Sequence, residues 1–361
     1  MSKLENMNGG TTSHSTRLPN NGNQVAGYKP LVWSAALLLT AIVAGCGGGS
    51  GGAPGTPGGG GTLGNYANPA AVNLSSSSTY ALTSSAGLTT SGVATFGGNA
   101  ALDAPTGACT ATPAAPTSST ADSCGLSTGV DVTNAAVNTS GSLAITGTTI
   151  RYNPGTTPNS SGFNATVRAV KTDVNTAWQY AFNQASDALI PGPGALGGLT
   201  LTQGVYTSLS TMTLGSGETL TLDASGNANA VWIFRVGSDL TVTGSTVACT
   251  GTAPNQVCTP TQVKLINGAL AKNVFWEVGT PTTGAANGTA SFPAATGPVQ
   301  NNTIFKGTIL AGSSVTFAGG TAVEGRVLAG ANLLGTPNTQ TGGAVSATAG
   351  STGPVAITLP Q

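Results

Sequence analysis

The phrase Gly-Thr-Ile-Leu-Ala-Gly at residues 307–312 returns as Gly-Arg-Val-Leu-Ala-Gly at 325–330, eighteen residues later. No other feature constrains the fold as tightly. A unit of this size cannot bury its own apolar side chains, so units must stack and bury them against one another. The expected result is a coil of three brief strands per turn, with strands of successive turns ~4.8 Å apart. Ile309 and Val327 then stack in register, and the paired glycines stand at a corner. Runs such as "LTLTQGVYTSL", "TMTLGSGETLTLDASG", "AVWIFRVGSDLTVTG" and "VAITLP" are broken by Gly, Asn, Asp and Ser at turn positions. Strands this short and this frequent suit a solenoid better than a sandwich.

One segment has helical spacing instead. Val167, Val170, Val174, Trp178, Phe182 and Ala185 recur at steps of three and four, and Pro191 follows. The spacing predicts a helix over 161–188, its apolar stripe lying along the solenoid. At ~1.5 Å per residue it is about 39 Å long and covers roughly eight coils.

The N-terminal region reads as an export signal. Arg17 and Lys29 precede the apolar run Leu31–Val43, which ends in Val43-Ala44-Gly45-Cys46. That tetrapeptide resembles a bacterial lipobox, so residues 1–45 are expected to be a lipoprotein-type signal peptide and Cys46 the lipidated residue. An uncleaved anchor helix and a simple secretory signal are the competing readings. Residues 46–62, Gly- and Pro-rich, form a flexible tether. The folded domain is placed at 63–361, outside the cytoplasm, on a bacterial outer membrane or cell surface or secreted.

Removing residues 1–45 also removes the only histidine, His14, and leaves eight basic and ten acidic side chains. Without imidazole, Ser-His-Asp and Cys-His mechanisms have no base. The acidic residues are scattered singly rather than clustered as glycan cleavage or calcium binding requires. "DASGNANA" at 223–230 lacks the spaced acidic ligands of a calcium loop. With 6% charged residues there is no basic patch for nucleic acid. Glu324 and Arg326, alternate on a strand, read as an exposed ion pair. No enzyme, cofactor or metal is expected. Cys109 with Cys124 and Cys249 with Cys258 form two close pairs, most simply read as disulfides; a zinc site competes but lacks Cys-x-x-Cys spacing and histidine.

The phrases "GGLTLTQGVYT", "GETLTLDASGNANAVWIFRVGSDLTV", "AKNVFWEVG" and "FKGTILAGSSVTFAGGTAVEGRVLAG", behind a long helix, resemble the ice-binding-like family of bacterial and fungal β-solenoids. The resemblance extends over most of residues 75–340. It implies a mainly β chain: a right-handed, triangular solenoid with one long helix alongside, and ice binding through one flat face. Members usually carry a Gly-Asp-x-Gly phrase after the opening strand. Here residues 97–127 stand in its place and read as a loop or cap insertion.

Threonines are the positive signal for such a face. Thr211-Met-Thr213, Thr219-Leu-Thr221 and Thr241-Val-Thr243 each put two hydroxyls on one side of a strand and an apolar residue on the other. Thr246, Thr316 and Thr321 occupy similar places in other coils. The expected contact surface comprises Thr213, Thr219, Thr221, Thr241, Thr243, Thr246, Thr316 and Thr321. Its partner is ice and ordered water, met by a monomer that touches a membrane only through its lipid anchor. The rival reading is a non-enzymatic adhesin or envelope protein that binds glycan or protein, which aromatic side chains on an outer face would favour.

Overall fold

The computed structural model describes residues 62–63, 66–84, 88–102, 126–127, 143–151, 160–190, 194–245, 259–281, 287–293, 303–331, 343–348 and 353–361. Among the described residues every strand pairing is parallel. The strands form a 16-stranded sheet, bent round a corner into two faces, and a 7-stranded sheet that makes the third. The three faces enclose a core of alternating inward side chains, with Trp232, Phe234 and Trp276 at its centre.

The doubled phrase is the corner of this scaffold. Thr303–Ala311 and Thr321–Ala329 run in register over their whole length, with Gly307 opposite Gly325 and Ile309 opposite Val327. Each strand passes from one face to the next at its glycine. Gly307 has φ of 113°, and a Cβ on Gly325 would lie 1.8 Å from the Gly307 carbonyl oxygen. Only glycine fits there.

The order of winding is not the order of the chain. Tyr80–Ser84 pairs with Asn99–Leu102, which pairs with Thr149–Arg151. The helix then runs back along the stack, and winding resumes from Ala188–Leu189 at the far end. It proceeds until Thr321–Ala329 meets Tyr80–Ser84. The last two strands fill the remaining places at this junction: Val345–Thr348 beside Leu88–Ser91, and Val355–Thr358 beside Ala94–Gly97. Val345, Ala347, Val355 and Ile357 are fully buried there, so the C-terminal strands join the two halves of the solenoid.

The α-helix spans Ser160–Phe182 and is shorter than expected at its C-terminal end. Its apolar stripe is buried: Val167, Val170, Val174, Ala177, Trp178 and Ala181 lie against Val205, Ile233, Phe275, Leu310 and Leu328. It stops before residue 188 because the solenoid takes the chain over. The Gln184 carbonyl accepts from Arg235 Nη1 at 2.7 Å, the Asp187 carboxylate accepts from the Val205 amide at 2.8 Å, and Ala188–Leu189 joins the sheet.

Thr62–Leu63 pairs with Thr200–Leu201, so Thr62, the last residue of the expected tether, is itself paired in the sheet. Within 97–127, strands Asn99–Leu102 and Leu126–Ser127, the latter beside Leu88–Ser91, flank residues 103–125, which lie outside the described residues. Cys46, Cys109, Cys124, Cys249, Cys258 and Thr246 lie outside the described residues.

Candidate functional site

The 7-stranded sheet has a single outward pattern. Met212-Thr213-Leu214, Leu240-Thr241-Val242, Ala290-Ser291-Phe292, Val315-Thr316-Phe317 and Val345-Ser346-Ala347 each bury the two flanking residues and turn the middle one out. These triplets stack in register, so Thr213, Thr241, Ser291, Thr316 and Ser346 form one straight row across five strands. The backbone register extends it to Thr89 and Ser127. At ~4.8 Å between strands the five positions cover about 19 Å. Thr316 Oγ1 and Ser291 Oγ are 3.3 Å apart, within hydrogen-bonding distance. Thr211 and Thr243 stand two residues either side of this row, at ~6.8 Å along a strand. Among the described residues charge stands at the margins of this face, where the Asp239 carboxylate accepts from the Thr289 amide at 2.8 Å and the Glu218 carboxylate from the Gly215 amide at 2.7 Å.

The expected threonines therefore divide. Thr213, Thr241, Thr243 and Thr316 share this hydroxyl face. Thr219 and Thr221 do not: the chain turns at Gly215-Ser216-Gly217, with φ of 73° at Gly217, and both residues emerge on the neighbouring face. Their register partners there are Gln262 and Lys264, and that face also carries the Lys306–Glu324 ion pair. Thr321 is buried at 2% exposure, its hydroxyl donating to the Ala318 carbonyl at 2.8 Å, because it lies at the corner where the strand enters the core. Glu324 pairs with Lys306 of the adjacent coil and not with Arg326, whose Nε donates to the Ser78 carbonyl on the helix side of the glycine corner.

Ser291 and Ser346 were not expected. Their signal in the sequence is the apolar-hydroxyl-apolar triplet, which treats Ser and Thr alike. Asp223, in the segment that superficially resembles a calcium loop, accepts from the Ser225 amide and the Asn267 side chain, and so braces two stacked corners. Among the described residues no three His, Cys, Asp or Glu come together. Trp178, Trp232 and Trp276 are fully buried, and the aromatic rings of the hydroxyl-face strands, Phe292 and Phe317, point into the core. Among its described residues the face thus offers no ring on which a sugar would stack.

The sequence model of the ice-binding-like family matches residues 82–336. The chain belongs to the ice-binding-like family. "Ice-binding protein 1" of Shewanella frigidimarina (strain NCIMB 400) is 32% identical over 167 residues, 44% of this chain and 15% of that protein. An ice-binding protein of Nostoc sp. (strain HG1) is 31% identical over 213 residues, 57% of this chain and 65% of that one. The chain spans less than two thirds of the length of these relatives. Among solved structures, an ice-binding protein from an Antarctic biological consortium superposes with a TM-score of 0.52 at 23% identity, covering 82% of this chain and 95% of that one. The corresponding domain of the Shewanella protein gives 0.50 at 24% identity, covering 82% and 100%. These likenesses establish the family's solenoid with its accompanying helix. The family match takes in Thr89, Ser127, Thr213, Thr241, Ser291 and Thr316 of the hydroxyl row and ends before Val345–Thr348.

Proposed function

We propose that this protein binds ice through the face that carries Thr213, Thr241, Ser291, Thr316 and Ser346, and so restrains the growth or recrystallisation of ice. The observation that carries this reading is the in-register row of small hydroxyls on a parallel sheet, with neither charge nor ring in the row. A charged group would impose its own hydration shell. A hydroxyl instead holds one water with ordinary geometry, and a threonine methyl beside it limits competing arrangements. The β-branch keeps the threonine side chains in few rotamers, so little entropy is lost on contact. Each contact is weak, and the row acts through many of them engaged together on a rigid surface.

Around this face we place the remaining expectations. Residues 1–45 direct export, Cys46 carries lipid, 46–61 tether the domain, and the two cysteine pairs clamp loops as disulfides. The domain acts as a monomer and performs no catalysis. The test is thermal hysteresis together with recrystallisation inhibition by the chain from Gly47 onward, purified under oxidising conditions. Faceted ice and a measurable freezing-point gap are expected, and inactivity in both assays would end the reading.

A further inference from the structure

The helix-covered face contains a carboxyl group with no use in ice binding. Glu277 points outward from the strand Val274–Val278 into the seam between sheet and helix, and is 1% exposed. Neither of its carboxylate oxygens has a hydrogen-bond partner. Its register neighbour on one side is Arg235. That guanidinium is only partly engaged: Nη1 donates to the Gln184 carbonyl at 2.7 Å and the group lies over the Phe182 ring at 5.0 Å, while its buried Nε has no hydrogen-bond partner and does not reach the Glu277 carboxylate. On the other side the neighbour is Leu310. The helix covers the site next to Trp178, whose Nε1 donates to the Val278 carbonyl at 3.2 Å.

Among the described residues, the other charged groups of this seam include Lys171 of the helix, which has a partner of its own, and Arg326, committed to the Ser78 carbonyl. Asp173, also on the helix, accepts from Ser76. Leaving a carboxylate charged and unpartnered in such a place is far more costly than keeping it neutral.

We propose that Glu277 is carried as the neutral acid in the native protein and that its ionisation loosens the docking of the long helix, making Glu277 a pH-sensitive latch between helix and solenoid. Burial pushes its proton affinity well above the ordinary carboxylate value of 4.5, and Arg235 offsets this only in part. The folded state then holds the proton more tightly than the unfolded chain. Its contribution to stability is fully present below pH 4.5 and is lost as pH rises through the native value. The hydroxyl face belongs to a different sheet, so the inference does not depend on ice binding and its test uses no ice.

Three measurements on the chain from Gly47 onward decide it. The urea midpoint of the wild type should fall as pH is raised from 4.5, and that of Glu277→Gln should fall distinctly less. Infrared spectra in D2O at neutral pH should show a protonated-carboxyl band that Glu277→Gln lacks. Amide exchange, corrected for its intrinsic pH dependence, should accelerate across Val167–Phe182 relative to Trp232–Val236 in the wild type only. Parallel pH profiles for wild type and Glu277→Gln, or a fully ionised carboxylate at neutral pH, would overturn the proposal. Should Glu277→Gln fail to fold, Glu277→Met serves in the same comparison, and the infrared band is read on the wild type alone.

Discussion

Trp276→Ala removes the centre of the core stack, and the structure says how much that should cost. The Trp276 ring is fully buried, lies 3.9 Å from the Phe234 ring at 8°, and is 4.9 Å from Phe305. Its Nε1 donates to the Lys306 carbonyl at 2.9 Å. Truncating a buried aromatic to alanine costs about 3–5 kcal/mol, and the upper part of that range applies where neighbours cannot collapse into the space. Phe234 is paired on both sides, with Tyr206 and Trp276, and Phe305 is paired with Val323, so collapse is restricted. The orphaned carbonyl adds about 1 kcal/mol. We therefore expect a loss of about 5 kcal/mol, a large share of the ~5–15 kcal/mol that holds a typical protein folded. Trp276→Phe keeps a ring in the stack and loses chiefly the hydrogen bond, and should cost about 1–2 kcal/mol. Urea unfolding followed by circular dichroism gives both values, provided the m-value is unchanged. A Trp276→Ala loss below ~2 kcal/mol, or equal losses for the two variants, would refute the packing described for this coil.

Two further outcomes follow from the same geometry. Replacing Ser291 and Ser346 with Thr supplies the missing methyls of the outward row without touching the core, and should raise thermal hysteresis while shifting stability by no more than about 0.5 kcal/mol; a fall in activity would argue against the methyl's role. Gly325→Ala places a Cβ 1.8 Å from a backbone oxygen, so the two long strands must part. Its cost should exceed ~3 kcal/mol by denaturant titration, more than the ordinary ~0.5–1 kcal/mol attached to glycine in regular structure.

The scaffold was legible because its signals are local. An eighteen-residue echo fixes the stacking of Ile309 on Val327, and valines at helical spacing fix the stripe under Val167 to Ala181. Alternation likewise separates inward Met212, Leu220 and Val242 from the threonines beside them. It does not say which face a threonine joins. That is decided by the corners: the turn at Gly215–Gly217 carries Thr219 and Thr221 off the hydroxyl face, and a corner turns Thr321 into the core. Ser291 and Ser346 lack the β-branch that marks a strand threonine, so only their place in the apolar-hydroxyl-apolar triplet signals them. The joining of Val345–Thr348 to Leu88–Ser91 had no local sign at all, since it depends on a pairing across most of the chain.

The most direct test of the ice-binding face compares Thr241→Tyr with Thr221→Tyr for thermal hysteresis at equal concentration, after circular dichroism confirms that both fold. Thr241 is flanked within the hydroxyl row by Thr213 and Ser291, and Thr221 stands similarly half-buried on the neighbouring face beside Lys264. A ring projecting from position 241 should hold the sheet away from a flat crystal and abolish most of the activity, whereas Thr221→Tyr should retain wild-type hysteresis. Retained activity in Thr241→Tyr, or its loss in Thr221→Tyr alone, would contradict the assignment of the face.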